Sequence, residues 1–366
     1  MMKLHPSSTL KKRLTKIPNC KEMQTVIIPK YLFAGFFFLM VSCLHAQNNS
    51  MFVNELVLEI DIYIDMQGLT EDIGEEREYH NGLLVYTDAA DKKYKFDIKL
   101  RTRGNFRRKP DVCPFPPIKV NFEKDQIENS IFEGADKIKL VTHCNSNDRN
   151  AEDYLFSEYL AYKIFNQINN ISHRVRLARI RYHDILEVYP DITRYAFFVE
   201  KDEQLAERTE MHCLDDIEKL SYKQLNMDYY QLFSVFQFLI GNTDWSVLLP
   251  KNITVLNKED TSQVIVVPYD FDLSYLVKPS YITKNPGINP ERNMAKIKSY
   301  CQSLDEFSSV IQFIAEKRRS ILKLVQDFDL LDLRQKRHVL EVLKAQFDKL
   351  EDPESLDGYF EEICYD

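Results

Sequence analysis

The sequence predicts an α+β fold of two lobes, in which a sheet-rich N-lobe precedes a mainly helical C-lobe. Two patterns predict this division. Short segments that alternate apolar and polar residues, as strands do, fill much of the first 200 residues. Longer segments with apolar residues at helical spacing dominate the remainder. We therefore expect an N-lobe over 47–200, built from an antiparallel sheet and one helix, and a C-lobe over 201–366.

The segment before residue 47 has the features of an export signal. Basic residues precede the apolar run "YLFAGFFFLMVSCL", and "LHA" offers small residues for cleavage before Gln47. The apolar run is too short to span a bilayer comfortably. We therefore expect removal of 1–46 and an exported, periplasmic, secreted or surface-associated protein without a stable transmembrane span. A lipid anchor at Cys43, an uncleaved anchor, and a translation start at Met23 remain alternatives.

Charge and composition narrow the classes of function. The whole chain has a net charge of −8, and the first 46 residues contain seven basic residues and one acidic residue, so their removal leaves −14. Such an acidic chain is disfavoured as a partner of nucleic acid polymers. Glycine is scarce, with nine residues, which argues against folds built on glycine-rich phosphate loops.

The predicted elements of the N-lobe follow one another closely. In "ELVLEIDIYIDM" every second residue is apolar, so these residues share one face of a strand. Further strands are predicted at "GLLVYTD", "KYKFDIKLRT", "PIKVNF", "KIKLVT", "RVRLARIRYHD" and "RYAFFVE". A helix over about 150–169, with Asn150 as its N-cap, interrupts the series.

The C-lobe is predicted to surround a buried helix. "MDYYQLFSVFQFLIG" is apolar nearly all round, and Gly241 ends it. Two short strands, "ITVL" and "VIVV", follow. The last part contains the amphipathic helical segments "EFSSVIQFIAEKRRSILKLV" and "LRQKRHVLEVLKAQFDKL".

Five cysteines remain after the signal, and an exported protein meets an oxidising environment. Cys113 and Cys144 each lie beside the end of a predicted N-lobe strand, so we predict a disulfide between them. A metal site formed by His143 and Cys144 is disfavoured, because no second pair of ligands occurs at zinc spacing.

The segment "VIVVPYDFDLSYL" raises a question of charge. Asp270 and Asp272 follow a strand of β-branched residues, and carboxylates beside a buried strand are costly unless something pairs with them. The partner could be a cation, a metal, or backbone amides and water. Capping of the turn after the strand is the simplest alternative.

Residue types required for phosphoryl transfer occur in a defined order. Such a site needs carboxylates for a metal, an asparagine that shares it, an aspartate for the nucleophile, and a cation held by a carboxylate. After a strand lysine, the chain presents Glu158, Asp244, Asn252 and Asp270. This order is that of protein-kinase-like folds.

Three segments, "RGNFRR", "GNTDWSVLLPKNITVL" and "VVPYDFDLS", together resemble the CotH-type spore-coat kinase family. The resemblance implies that Asp270 binds a metal, with Asp272 as a helper and Asn252 as the second ligand. It implies that Asp244 orients or deprotonates the acceptor hydroxyl. Arg103 would lie over the phosphates in place of a glycine-rich loop.

The identity of the phosphate-binding lysine stays open. Lys139 lies on the strand just before the helix that carries its expected partner Glu158, as the kinase order requires, whereas Lys119 lies one strand earlier. The resemblance covers about 100–274. The sequence differs from ordinary kinases in two places. It has "DFD" where they have "DFG", and the spacing between Asp244 and Asn252 is longer than that between the catalytic-loop aspartate and asparagine of those kinases.

The resemblance implies an atypical kinase that transfers a phosphoryl group from ATP, with Mg²⁺ or Mn²⁺, to a protein or another hydroxyl acceptor. One alternative is a non-catalytic exported binding or scaffold domain with the same fold, since an exported protein meets little ATP. Another is a metal-dependent phosphohydrolase with Asp270 and Asp272 on the metal. The basic segment "RTRGNFRRKP" is either an anion site or a solvated loop, and Trp245 either contacts a base or an acceptor or serves packing.

Overall fold

The structure is a computed structural model that describes residues 51–259, 261–285 and 295–364. The described residues all fall in one compact unit. The predicted signal over 1–46, with Cys43 and Met23, lies outside the described residues. Within the described part, no helix is both long enough and apolar enough to cross a membrane.

Seven strands of the N-terminal part close into a barrel: β1 (Leu58–Ile64), β2 (His80–Thr87), β3 (Lys93–Thr102), β4 (Ile118–Phe122), β5 (Lys137–Val141), β6 (Val175–Asp184) and β7 (Ile192–Val199). Their order around the barrel is β1-β2-β3-β4-β5-β7-β6. Neighbouring strands are antiparallel except β1 and β6, which close the barrel in parallel. The predicted antiparallel sheet is therefore closed by a parallel pairing, which joins distant segments and leaves no local pattern.

Successive side chains along each strand point alternately to the inside and to the outside of the barrel. Ile118 and Val120 of β4 are buried in the interior, and so is Ile138 of β5. Lys119 and Lys139 occupy the intervening positions and are only partly buried. Because successive side chains of a strand point to opposite faces, both lysines lie on the outer face.

Three helices accompany the barrel: α1 (Met66–Glu71), α2 (Lys124–Ile127) and α3 (Ala151–Ile168). Only α3 was predicted from the sequence, and Asn150 takes its N-cap position without a capping side-chain hydrogen bond. The helix packs on the outer face of the barrel, where Tyr159 and Tyr162 both lie 5.8 Å from the Phe197 ring of β7. This packing fixes the face of α3 that carries Glu158.

The C-terminal part is mainly helical and contains α4 (Asp202–Arg208), α5 (Met227–Leu239), α6 (Leu304–Glu316), α7 (Arg318–Gln326), α8 (Leu333–Leu350) and α9 (Pro353–Asp357). A three-stranded sheet in the order β10-β9-β8 is formed by β8 (His212–Cys213), β9 (Ile253–Asn257) and β10 (Val264–Pro268). Strands β11 (Ile297–Tyr300) and β12 (Phe360–Ile363) pair in parallel. The predicted α+β class, with a sheet-rich N-terminal part and a helical C-terminal part, is confirmed.

Several local predictions can be compared with these elements. The apolar helix α5 is buried, and Gly241 follows it with φ +64°, a conformation that glycine adopts readily. The single helical segment predicted before "LRQKRHVLEVLKAQFDKL" is two helices, α6 and α7, which meet at Lys317. The polar stretch after residue 200, which was expected only to leave the sheet, forms α4.

Four of the described cysteines form two disulfides. Cys113 and Cys144 form a disulfide with their Cα atoms 4.7 Å apart, as predicted. A second disulfide, which the sequence did not suggest, joins Cys301 at the end of β11 to Cys364 after β12. Cys213 is a free thiol.

Candidate functional site

The partner of the two aspartates after β10 is an arginine. Arg107 lies in the loop between β3 and β4, and its guanidinium contacts three carboxylates. The Nη1 atom lies 3.0 Å from Glu158 of α3, Nη2 lies 2.7 Å from Asp270, and Nε lies 3.1 Å from Asp272. The partner is therefore a protein cation, and it joins the barrel, α3 and the segment after β10.

The loop reaches this position through its glycine and its disulfide. Gly104 has φ +83°, which turns the chain directly after Arg103. The Arg103 N–H donates to the carbonyl of Pro117 over 2.8 Å, which closes the base of the loop. Cys113 fastens the far side of the loop to Cys144, shortly before α3 begins.

Burial and charge set the protonation of the carboxylates around Arg107. Burial raises the pKa of Glu158, and the positive charge of Arg107 offsets this increase only partly. Burial also holds the pKa of Asp272 well above its usual range. Burial also pushes the pKa of Asp270 upward, but the charges of Arg107 and Arg103 outweigh it and lower that pKa. Of the three carboxylates, Asp270 is thus the one whose surroundings most favour the anion, and its side chain is 30% exposed.

Asp272 was expected as a helper ligand of the metal, and its contacts point to another role. Its side chain is 6% exposed, and one oxygen lies near both the Arg107 guanidinium and the Tyr281 hydroxyl, which donates over 3.4 Å. Between the two aspartates, Phe271 is buried against the Tyr162 ring at 4.6 Å. Asp272 is turned inward by this packing, where it supports Arg107.

Asp244 and Asn252 meet in the loop between α5 and β9. The Asn252 Nδ2 donates to the Asp244 carboxylate over 3.0 Å and to the Asp244 carbonyl over 2.7 Å. The exposed Lys251 side chain also pairs with the Asp244 carboxylate. The predicted catalytic-loop residues are therefore in contact despite their long spacing.

Asn252 and Asp270 are placed as neighbours by the pairing of β9 with β10. The Ile253 position at the start of β9 pairs with Pro268 at the end of β10, and the Tyr269 N–H donates to the Asn252 carbonyl over 3.1 Å. Both residues have left-handed backbone conformations, with φ +56° for Asn252 and +62° for Asp270. Apart from glycine, asparagine and aspartate tolerate this region best, and such backbone conformations cluster at functional sites.

A row of cations crosses the outer face of β3, β4 and β5. Arg101 is directly opposite Lys119, and Lys119 is directly opposite Lys139. Burial lowers the pKa of Lys119, and the neighbouring positive charges lower it further. Among the described residues Lys119 has no ion-pair partner, so this row has positive charge to offer an anion.

The two candidate lysines have different partners. The Lys139 ammonium lies 3.5 Å from Asp202 at the start of α4 and 4.4 Å from the centre of the Tyr269 ring. Its expected partner was Glu158, but Glu158 is bound to Arg107, so the structure does not form that ion pair. The Asp202 carboxylate is itself fixed by Thr254, whose hydroxyl donates over 3.1 Å.

The predicted metal ligands can be tested for fit. The described residues contain no cluster of three or more histidine, cysteine or acidic side chains that could hold an ion by itself. Asp270 and Asn252 supply two oxygen-bearing groups, since the Asn252 Nδ2 is engaged by Asp244 and leaves Oδ1 as an acceptor. Mg²⁺ is usually held by one or two carboxylates completed by phosphates and water. The residues therefore fit an ion that arrives with a phosphorylated ligand.

Some site residues were not selected from the sequence. Arg107 stands inside the quoted segment "RGNFRR", but only Arg103 was chosen there. The need for a cation beside two buried aspartates was a signal that could have selected it. Asp202 and Lys251 gave no such signal, because single charged residues at a helix start or in a loop are common.

Comparison with known proteins adds a structural likeness. No protein-family model matches the sequence, and the search of curated proteins gave no match. Among solved structures, the chain is similar to CtkA, a proinflammatory kinase of Helicobacter pylori, with a TM-score of 0.39 and 11% identity. The alignment covers 66% of this chain and 94% of the kinase chain.

Proposed function

We propose that this protein is an exported, CotH-like atypical kinase that transfers a phosphoryl group from a nucleotide to a protein or another hydroxyl acceptor. The observation that carries the proposal is the juxtaposition of a cation row with an anionic aspartate. Lys139 of that row lies 4.4 Å from the centre of the ring of Tyr269, the residue before Asp270. The charge of Arg103 contributes, after that of Arg107, to the lowered pKa of Asp270. A nucleotide's phosphates and a divalent ion require this combination of charges.

Each of these residues would have a separate role in the reaction. Lys119, Lys139 and Arg103 would balance the phosphate charge. The acceptor oxygen would attack the terminal phosphorus, while the bond from that phosphorus to the nucleoside diphosphate breaks and the diphosphate leaves with the electron pair. Asp244 would take the hydroxyl proton, and Lys251 and Asn252 hold the Asp244 carboxylate in place.

Asp270 and Asn252 would hold Mg²⁺ or Mn²⁺ when it enters with the nucleotide. The ion would neutralise charge on the phosphates during transfer. Arg107 keeps Asp270 in position, because it anchors that carboxylate to the buried Glu158 and Asp272. The two disulfides support the proposed export, since such bonds persist in oxidising compartments.

A non-catalytic binding domain is the second candidate, and one observation favours it. Arg107 already occupies one oxygen of Asp270 at 2.7 Å. A cation that permanently satisfies the site would make a metal unnecessary. The phosphohydrolase alternative has less support, because it needs both aspartates on the metal and Asp272 is buried against Arg107.

Nucleotide-dependent stabilisation separates these candidates. The melting temperature of the mature protein would be measured with ATP, with Mg²⁺ or Mn²⁺, and with both. The kinase proposal expects an increase only when both are present, and Asp270→Asn should remove it by taking a charge from the ion's surroundings. No increase in any combination would favour the binding domain.

Transfer itself is tested at the aspartate that faces the acceptor. Asp244→Asn keeps the shape of the side chain but removes the proton acceptor, so phosphoryl transfer should fall by at least about a hundredfold. Nucleotide-dependent stabilisation should stay nearly intact. Full transfer by this variant, or loss of fold stability without a kinetic effect, would contradict the assigned role.

A further inference from the structure

A groove lies beside the loop that carries Asp244, and the mechanism above does not use it. Its volume is about 930 Å³, at the upper end of the range for ligand pockets. Three aromatic residues and three lysines characterise its lining: Tyr222, Trp245, Tyr300, Lys219, Lys223 and Lys298. We call it the lysine groove.

The lysine groove shares a wall with the catalytic loop. Trp245 follows Asp244 directly, and its indole Nε1 donates to the carbonyl of Asn242 over 3.0 Å. Ser246, also in the lining, exchanges two backbone hydrogen bonds with Lys251, which pairs with Asp244. A ligand in the groove therefore lies against the segment that orients the proposed proton acceptor.

The aromatic residues of the lining are held in place by ring packing. The Tyr222 and Tyr300 rings stack with centroids 6.0 Å apart. Trp245 packs edge-on against Phe233 of α5 at 4.9 Å, which fixes its ring from behind. Trp245 and Tyr300 are each only 6% exposed, so the accessible apolar area of the groove is mainly that of the half-buried Tyr222 and of Leu249, which is 66% exposed.

The charged part of the lining is positive. The Lys298 ammonium lies 5.0 Å from the centre of the Trp245 ring, and the Lys223 ammonium lies 5.8 Å from that of Tyr222. In the part of the chain that the structure describes, neither these two lysines nor Lys219 forms an ion pair. Glu361 is the register partner of Lys298 across β11 and β12, but the two side chains are not ion-paired. The chain as a whole is acidic, so three unneutralised lysines at one groove are a local reversal of charge.

We propose that the lysine groove docks an acidic, extended peptide segment of the acceptor protein. Its carboxylates would pair with the three lysines, and its apolar side chains would lie on Tyr222 and Leu249. The bound segment would then present a hydroxyl to Asp244. This inference rests on the proposed function, because it names the class of acceptor for the same site.

The chain contains a single tryptophan, so fluorescence excited selectively at tryptophan reports on Trp245 alone. The probe is a short synthetic peptide in which one serine is flanked by glutamates, titrated into the mature protein at low ionic strength. Two matched peptides carry glutamine or lysine in place of the glutamates. A saturable fluorescence change is expected with the acidic peptide only, and it should weaken as salt is raised.

The double variant Lys219→Gln/Lys223→Gln tests the location, because both side chains are exposed and neither forms an ion pair among the described residues. Its affinity for the acidic peptide should fall by about fivefold, as expected for two exposed ion pairs. Lys344→Gln, at an exposed position of α8 outside the lining, is the matched control and should bind as the original protein does.

Two results would overturn the inference: equal fluorescence changes with the acidic and glutamine peptides, or unchanged binding by the double variant. Nucleotide-dependent stabilisation is measured on the same samples. Stabilisation without peptide binding would refute the docking groove and leave the kinase proposal standing. Peptide binding without any response to nucleotide would keep the acidic-peptide groove and refute the kinase proposal.

Discussion

Arg107 faces three carboxylates that come from α3 and from the segment after β10. Its side chain is 8% exposed, and that of Glu158 is 2% exposed, so these charges are out of contact with most solvent. Burial acts to lower the pKa of Arg107, but the charges of Asp272 and Glu158 outweigh it and hold that pKa well above its usual range. The arginine is therefore charged at any pH at which the protein is folded.

Replacement of Arg107 by methionine should strongly destabilise the protein. Glu158 and Asp272 would lose their cation while remaining buried, and breaking a buried pair in this way costs about 3–5 kcal/mol. Urea denaturation at neutral pH measures the free energy of unfolding. Arg149→Met is the control, because Arg149 is exposed and has no ion-pair partner among the described residues, and its effect should stay within about 0.5 kcal/mol. A comparable loss in both variants would contradict the prediction.

His143 is a buried histidine whose pKa differs between the folded protein and the unfolded chain. Burial lowers its pKa from 6.5 to about 3, and the nearby Arg194 charge adds to this effect. Its ring contacts the Ser146 hydroxyl at 2.8 Å. Between these two pKa values the unfolded chain binds a proton that the folded protein does not bind. Stability therefore rises with pH across this window and is lost as the pH falls from 6.5 toward about 3.

His143→Gln should flatten this part of the pH profile. The histidine contributes a slope of up to about 1.4 kcal/mol per pH unit in the free energy of unfolding, and the variant lacks it. Urea denaturation at a series of pH values between 6.5 and 4 checks the difference. His212→Gln, at an exposed position, should leave the slope unchanged. Parallel profiles for His143→Gln and the original protein would show that the group titrates normally.

At the scale of elements, the pairing of β3, β4 and β5 places positively charged side chains next to one another, where they repel. Arg101, Lys119 and Lys139 are consecutive cross-strand neighbours on one face, and directly opposed like charges destabilise a sheet. The row is present although its repulsion opposes folding. An anion that binds across it would relieve the repulsion, which is the reason for assigning the row to the phosphates.

Lys119→Gln should therefore change stability and ligand binding in opposite directions. Without nucleotide, the variant should be more stable by about 0.2–1 kcal/mol, because one member of the row loses its charge. With ATP and Mg²⁺, its stabilisation should be smaller than that of the original protein. Lys95→Gln, at an exposed position of β3 outside the row, should change neither quantity. A loss of stability without nucleotide would contradict the repulsion.

The elements also show where sequence patterns are sufficient. Strict alternation in β1, β3 and β4 follows from burial of one face, and that pattern is visible in the sequence. The short helices α1 and α2 lack such a pattern, since a few residues cannot form a stripe. The break between α6 and α7 at Lys317 was also missed, because amphipathic spacing continues across it.

At the scale of the whole molecule, the Cys113–Cys144 disulfide joins the loop of Arg107 to the approach of α3. The bond closes a segment of 31 residues in the unfolded chain. Loop-closure entropy then assigns it about 3–4 kcal/mol of stabilisation. It also restricts the loop that carries both Arg103 and Arg107, so the fold and the site depend on the same bond.

The double variant Cys113→Ser/Cys144→Ser should lower the free energy of unfolding by about 2–4 kcal/mol. Its nucleotide-dependent stabilisation should fall as well, since the loop of Arg103 and Arg107 is less restrained. Peptide mass mapping of the unreduced protein checks that the bond exists. Cys213→Ser, which removes a free thiol, is the control and should change neither measurement. Two free thiols at the first pair would refute the assignment.

The sequence by itself determined the α+β class, most barrel strands and the buried helix α5. It also selected Asp244, Asn252 and Asp270, which the structure gathers around the ends of β9 and β10. These features were predictable because alternation, helical spacing and charged residues beside apolar strands are properties of short segments.

The tertiary structure alone decided which charges meet. Arg107 is separated by 51 residues from Glu158 and by 163 from Asp270, yet it binds both, and Lys139 is left to Asp202. The parallel closure of the barrel by β1 and β6 was decided in the same way. Periodicity reports which side of an element is buried, whereas an ion pair or a strand pairing depends on the distance between remote segments, which only packing sets.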